Sequence, residues 1–312
     1  MLILPYRNQN PPESWPIATI LLIVFNTTFF ILTSKFGLVA KQEVVMEYGV
    51  SLANFHWYQL ITSMFLHGDL MHLLGNMFFL YLMGFAVEGR LRTWKFLILY
   101  FVAGLAGSAL HLLIAGPSMP KIPAIGASGA IMGVMGASMY MFPHSPVDVF
   151  WWIFYRVGTV EWRMWHVGLM YICFDLLDIF LEIASGTPGG TANFAHLGGV
   201  AAGALVCLIM RAVRDDEVVS HAKATLHATN DVSLLHEKEL RDLYAVNPTR
   251  PDVALHWMVK SSFTDQRNTT YPEAVKAFHA QFNGILDTQP MHLVCQVVNA
   301  MLMTNPQLIS IQ

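Results

Sequence analysis

The chain has 312 residues, of which 54% are hydrophobic and only 12% are charged. Soluble globular domains carry about 25% charged residues, so the composition excludes a disordered chain, and a net charge of −3 argues against a nucleic-acid partner. The apolar excess points to a chain that crosses a lipid bilayer several times.

The charge is unevenly placed. Residues 1–210 hold 9 of the 18 Lys and Arg and 10 of the 21 Asp and Glu, and the last third of the chain holds the other half. This divides the chain into a membrane domain, 1–214, and a soluble helical cytoplasmic tail, 215–312. The N-terminal MLILPYRNQNPPESWP is too polar and proline-rich for a cleaved signal peptide, and it lacks the Arg/Ser pattern of a transit peptide. Cys173, Cys207 and Cys295 show neither metal-site spacing nor a disulfide framework.

A spanning helix needs ~20 mostly apolar residues. Six stretches qualify: Trp15–Ser34, Leu70–Val87, Phe96–Ala115, Ala124–Met141, Met164–Ala184 and Phe194–Ala212. Gly104, Gly107, Gly126, Gly129, Gly133, Gly136, Gly199 and Gly203 crowd the third, fourth and sixth, where small residues let backbones approach inside lipid. Between the first two spans, Gly37–Asp69 is long and half apolar, suited to the membrane interface with Trp57 and Tyr58 as anchors. Between the fourth and fifth, Val147–Trp162 is rich in aromatic residues and reads either as an interfacial belt or as a segment entering the membrane. In the tail, Val232, Leu235, Leu240 and Leu243 can share one helix face, and further helices are expected near Pro251–Ser262, Pro272–Ile285 and His292–Met303. The expected fold class is therefore all-α: a polytopic six-helix bundle and a small helical C-terminal domain.

Alternating spans put Arg7, Arg90, Arg92, Lys95, Arg156, Arg163, Arg211 and Arg214 on the face that holds the N-terminus, against Lys35, Lys41 and Lys121 on the other. The first face is therefore expected to be cytoplasmic, with both termini on it.

Four polar residues stand out in the spans. MHLLGNM holds His72 and Asn76 one helical turn apart; IGASGAIMG holds Ser128; FAHLGG holds His196. Each context begins an even-numbered span on the external side, so the four residues should lie at similar depth. A serine needs a base to become a nucleophile, histidine is the usual base, and Asn and His side chains can donate to a developing oxyanion. Gly126 and Gly129 flank the serine and leave it accessible, and Gly199 opens a GxxxG with Gly203 in the sixth span.

HLLGN, GASGA and AHLGG, in that order, resemble the rhomboid intramembrane serine proteases over about residues 15–213, with FLHGDLMHLLGN similar to that family's second-helix entry. The resemblance implies a Ser128–His196 dyad without a triad acid, an oxyanion hole from His72, Asn76 and the Ser128 amide, and no metal or organic cofactor. It also implies single-pass transmembrane proteins as substrates, cut near the external membrane face, an inner (plasma) membrane location, and gating by the fifth helix and the SGTPGGTAN loop after it. An aromatic residue that some members carry four positions after the nucleophile is Met132 here, and a Trp–Arg pair often seen in the first loop reads Trp57–Tyr58.

Other assignments compete. GxSG alone is more often packing than chemistry in a membrane helix. A rhomboid-like protein that binds membrane clients without cleaving them would be expected to lack the dyad, which is intact. A transporter using Asp175 and Asp178 would need broken, repeat-related helices that the sequence does not show. Those two aspartates, with Glu182, could serve a proton or ion path or hydrate the active-site basin, but the favoured expectation is that they pair with polar groups inside the bundle or lie near the external surface. His67 and His111 are assigned to packing, and the tail histidines His221, His227, His236, His256, His279 and His292 to surface or packing. The tail itself is read as a module able to bind a cytoplasmic partner.

Overall fold

The computed structural model describes residues 2–8, 12, 14–186, 192–216, 218, 220, 231–263, 271–295 and 298. It divides into two compact units, Met1–Ala212 and Val213–Gln312.

In the first unit a strand β1 (Leu2–Asn8) precedes helix α1 (Ile17–Thr33). A two-residue hairpin, β2 (Ser34–Lys35) and β3 (Val39–Ala40), and the short helices α2 (Gln42–Tyr48) and α3 (Gln59–Thr62) fold the long first connection. Then come α4 (Leu70–Ile114), α5 (Ser128–Met141), strands β4 (Pro146–Ile153) and β5 (Arg156–Arg163), α6 (Met164–Ser185) and α7 (Asn193–Ile209). Among the described residues α4 is long and apolar enough to cross a membrane, and α1 and α7 are apolar over 17 residues each. The outward faces of α1, α6 and α7 carry exposed Leu, Ile and Phe side chains such as Leu32, Phe180 and Ile209. That surface suits lipid rather than water.

Helix α4 covers the second and third expected spans in one element, broken at Arg92, where φ is 67° and ψ is 158°. A straight helix would separate His72 from His111 by ~58 Å at 1.5 Å per residue. Yet His111 lines a cleft together with Gly126, and an ideal Cβ on Gly126 would lie 2.8 Å from His72 Nε2. The helix therefore doubles back at Arg92, with almost no loop. Close by, the Arg90 guanidinium stands 4.5 Å over the Phe142 ring just past α5.

Glu88 fastens this turn to α1. Its fully buried carboxylate accepts from the Ala18 and Thr19 amides at 2.8 and 2.7 Å, and from the Thr19 and Thr93 hydroxyls at 2.7 and 2.8 Å. The first N–H groups of a helix lack intrahelical partners and sit at its positive end, so a carboxylate is the acceptor such a site calls for.

The core seam is made by glycine. A Cβ on Gly199 would fall 2.0 Å from the Gly129 carbonyl oxygen, one on Gly203 1.9 Å from that of Gly133, and one on Gly107 2.5 Å from that of Ala195. Helices α4, α5 and α7 thus touch backbone to backbone. Around them pack Leu80, Met83, Phe96, Leu99, Tyr100, Met135 and Cys207.

Three expectations need correction, namely the fold class, the start of the fourth helix and the shared helix face in the tail. The fold is mostly helical but not all-α: β1, β4 and β5 form an antiparallel sheet in the order β1-β4-β5, with a register shift between Pro5 and Arg7. The aromatic segment 147–162 is this hairpin; Val147 and Val149 alternate inward to the core, while Trp152, Phe154 and Tyr155 stay exposed at its tip. The fourth helix begins at Ser128 rather than Ala124, because Ala124 is bridged in antiparallel fashion to Val50 and Gly126 takes φ +127°, which a helix cannot hold. In the tail unit, Val232 and Leu235 belong to a 3-10 turn and its cap, ahead of the helix Glu237–Val246 that carries Leu240 and Leu243. All four are buried with Val253, Leu255, Trp257, Met258, Phe278 and Ile285 from the helices Pro251–Phe263, Tyr271–Ala280 and Phe282–Thr288.

Glu88→Ala leaves four donors without their acceptor, and we expect it to destabilise the first unit by about 3 kcal/mol, with Glu88→Gln losing less. Unfolding midpoints of the purified chain in detergent measure this.

Candidate active site

Ser128 is the first residue of α5, His72 the third of α4 and His196 the fourth of α7. The glycine seam brings the starts of α5 and α7 together, and the start of α4 reaches Gly126 through His72. Ser128 lines a small open cleft together with Ser63, His111, Gly126, Gly129 and Ala195. An ideal Cβ on Gly129 would be 3.4 Å from the Ala195 carbonyl oxygen, so the serine's helix rests on the residue that precedes His196.

Gly126 makes the opening. Its positive φ turns the extended segment into α5, and its amide donates to Ser63 O at 2.9 Å. A side chain there would meet His72 Nε2 at 2.8 Å and, on its other flank, Ser128 Oγ at 3.6 Å. His72 Nε2 and Ser128 Oγ therefore both lie close to Gly126, where a side chain would crowd the imidazole.

The ring of His72 is fixed from behind. Asp69 caps the start of α4 by accepting from the His72 amide at 2.8 Å, and the Gly68 amide donates to His72 Nδ1 at 3.3 Å. A ring nitrogen that accepts carries no proton, so the proton of neutral His72 is on Nε2, the atom beside Gly126. His67 stacks edge-on against this ring, with centroids 5.1 Å apart. One turn deeper, Asn76 is buried and its Nδ2 has no partner among the described residues. The Ser128 amide, at a helix N-terminus, is a third N–H with no intrahelical acceptor. Of these donors, His72 Nε2 and the Ser128 amide lie close to the serine hydroxyl, on either side of the Gly126 position.

His196 is held by one of the acids expected to pair inside the bundle. Its Nδ1 donates to Asp175 Oδ1 at 2.9 Å, from α7 to α6. Glu182, two turns along α6, accepts from Asn193 Nδ2 at 3.3 Å, and Asp178 is exposed. The carboxylates of α6 thus pair with α7 or face outward. Among the described residues no hydrogen bond joins Ser128 Oγ to His196; catalytic contacts often close only when substrate is bound. His72 and His111 are the other titratable groups near enough to interact electrostatically with His196. His111, assigned to packing from sequence, lines the cleft. The carboxylate partner had one signal in the sequence: an aspartate in an apolar span, which must find a partner or a cavity. Among the described residues, no group of three or more His, Cys, Asp or Glu side chains is gathered as a metal site. Residues 187–191, the middle of the SGTPGGTAN loop, lie outside the described residues.

Apolar helices with lipid-suited outer faces, a serine at the head of a short helix that lines a cleft and an imidazole on the helix packed against it define a polytopic helical protein with a polar site. The Rhomboid domain model matches residues 54–213, half of the chain, and the chain belongs to the rhomboid family. It is 30% identical over 171 residues to Rhomboid-like protease 3 of Toxoplasma gondii, covering 54% of this chain and 57% of that protein. It is 27% identical over 174 residues to RHOMBOID-like protein 4 of Arabidopsis thaliana, covering 56% and 37%. It is 33% identical over 97 residues to the rhomboid protease GluP of Bacillus subtilis, covering 30% and 19%. The match therefore spans little more than half of the first relative and less of the others. Some of these relatives are named as proteases and some only as rhomboid-like proteins. The family is membrane-integral, and the tail lies beyond the matched residues.

Gly126→Ala imposes a strained φ, costing about 1–3 kcal/mol, and drives a methyl into His72 Nε2. The expected result is a lower unfolding midpoint together with loss of fluorophosphonate labelling at Ser128, read by mass spectrometry.

Proposed function

We propose that the chain is an intramembrane serine protease in which Ser128 and His196 act as a dyad on single-pass transmembrane substrates. The observation that supports this reading most is that Gly126 lies against both His72 Nε2 and the hydroxyl of the helix-initiating Ser128, which lines a cleft, with the helix of His196 packed on the helix of that serine.

As Ser128 Oγ bonds to the scissile carbonyl carbon, His196 takes the hydroxyl proton and the carbonyl π electrons move onto oxygen. That oxygen takes hydrogen bonds from His72 Nε2, Asn76 Nδ2 and the Ser128 amide. Collapse breaks the C–N bond, and His196 returns the proton to the departing amine. Water then repeats the cycle on the acyl-enzyme and frees Ser128. Gly126 and Gly129 leave room at the serine, and Gly199 lets α7 lie close enough to bring His196 near it.

The geometry of α5 supports a site below the membrane surface. Its 14 residues rise about 21 Å, less than the ~30 Å hydrocarbon thickness. We read the first unit as six crossings, with α4 supplying two, the N- and C-termini cytoplasmic and the membrane the plasma membrane. The tail, 215–312, is a separate cytoplasmic module in this reading. Helix α6 buries little beyond Met164, Val167, Gly168 and Asp175, which suits a helix that yields to admit substrate from the lipid. A client-binding protein without protease activity is the second reading, favoured by the relatives named only as rhomboid-like.

Ser128→Ala is expected to abolish cleavage of a single-pass substrate by the purified chain in liposomes, and Asn76→Ala to lower turnover by about 10²-fold. Undiminished cleavage by folded Ser128→Ala would remove the assignment. A chain ended after Arg214 should retain cleavage, since Ser128, His196, His72 and Asn76 all precede that point.

A further inference from the structure

We propose that Asp175 is a positioning residue for His196, so that the serine and histidine work with a carboxylate behind them rather than as a bare pair. The proposal rests on the reading of Ser128 as the nucleophile and His196 as its base.

The contact is direct and sheltered. Asp175 Oδ1 and His196 Nδ1 are 2.9 Å apart, and the two side chains are only 11% and 14% exposed. They come from different helices, 21 residues apart in sequence. Asp175 is the one buried acid of α6, whose neighbouring positions Phe174, Leu176 and Leu177 are apolar and exposed. A carboxylate on such a helix is costly unless it is paired. Its Oδ2 is buried with no partner among the described residues, so the imidazole is the partner that the described structure offers it. From the other elements, His72 and His111 of α4 are the remaining titratable groups that reach His196 electrostatically. Glu182 is directed to Asn193 instead.

The consequence for the chemistry is definite. A hydrogen bond from Nδ1–H to the carboxylate puts the single proton of neutral His196 on Nδ1 and leaves the Nε2 lone pair for the Ser128 hydroxyl. When the Oγ–C bond forms and Nε2 gains the serine proton, the ring becomes an imidazolium with the negative carboxylate already at its other nitrogen. Asp175 keeps its charge throughout and touches neither substrate nor reacting atoms. The same hydrogen bond ties α6 to α7 beside the reaction centre, so a purely structural role is the alternative to be separated from positioning.

The test uses the full-length chain in detergent. Folded Asp175→Asn is expected to lose about 10²-fold or more in kcat and in the rate of fluorophosphonate labelling at Ser128, with KM little changed. Asp175→Glu should restore part of both. In the native chain with ¹⁵N-labelled histidine, a low-field Nδ1–H resonance should be present, persist in Ser128→Ala, and vanish in His196→Ala and Asp175→Asn. Native-rate labelling by folded Asp175→Asn, or a native His196 protonated at Nε2 with a bare Nδ1, overturns the proposal; the second result needs no variant at position 175. Labelling that persists in Ser128→Ala overturns the nucleophile assignment and this proposal with it. Labelling that depends on Ser128 but ignores Asp175 overturns this proposal alone.

Discussion

No side chain fits between α5 and α7. Where Gly199 meets the Gly129 carbonyl and Gly203 that of Gly133, the two backbones are in contact, and Gly107 of α4 closes the third side on Ala195. Lipid offers no hydrophobic reward for helix association, so packing of this closeness has to hold the bundle. It also sets the reach of the site. Ser128 and His196 lie at the heads of the two helices that share the seam, and a single methyl at Gly199 or Gly203 would push those heads apart.

The second constraint is that a buried polar group in an apolar surround needs a partner. Glu88 finds four donors and becomes the clasp between α1 and the turn of α4. Asp175 finds His196, and Glu182 finds Asn193. The Asn76 amide, buried and unpartnered among the described residues, is a donor open to a further acceptor. Preorganised donors are what an oxyanion requires, because they are already aimed before the charge appears. Other buried polar atoms also lack a partner among the described residues, Asp175 Oδ2 and His67 Nε2 among them, and Asn76 Nδ2 is the one that the proposed mechanism assigns to the substrate oxygen.

Much of this was legible in the sequence because the informative residues sit in short local contexts. GASGA and AHLGG hold both the proposed nucleophile and base and the glycines that let their helices meet. What escaped were features made by distant pairing. The sheet depends on β1 meeting β4 across more than 130 residues, and the inward alternation of Val147 and Val149 is too short to stand out among aromatics. The start of α5 was misjudged because Ala124–Ala127 is apolar enough for a helix, while its real conformation is set by a bridge to Val50 and by the φ of Gly126. The Asp175–His196 contact joins two helices whose relative rotation no hydropathy pattern encodes. Its only trace was the presence of an acid where lipid should exclude one.

The most direct test of the central claim is an experimental structure of the full-length chain carrying a fluorophosphonate adduct. The account predicts phosphorus bonded to Ser128 Oγ, and the phosphonyl oxygen within hydrogen-bond distance of His72 Nε2, Asn76 Nδ2 and the Ser128 amide. The His196 ring should face the adduct through Nε2. An adduct on another residue, or a phosphonyl oxygen turned away from His72 and Asn76, would contradict it.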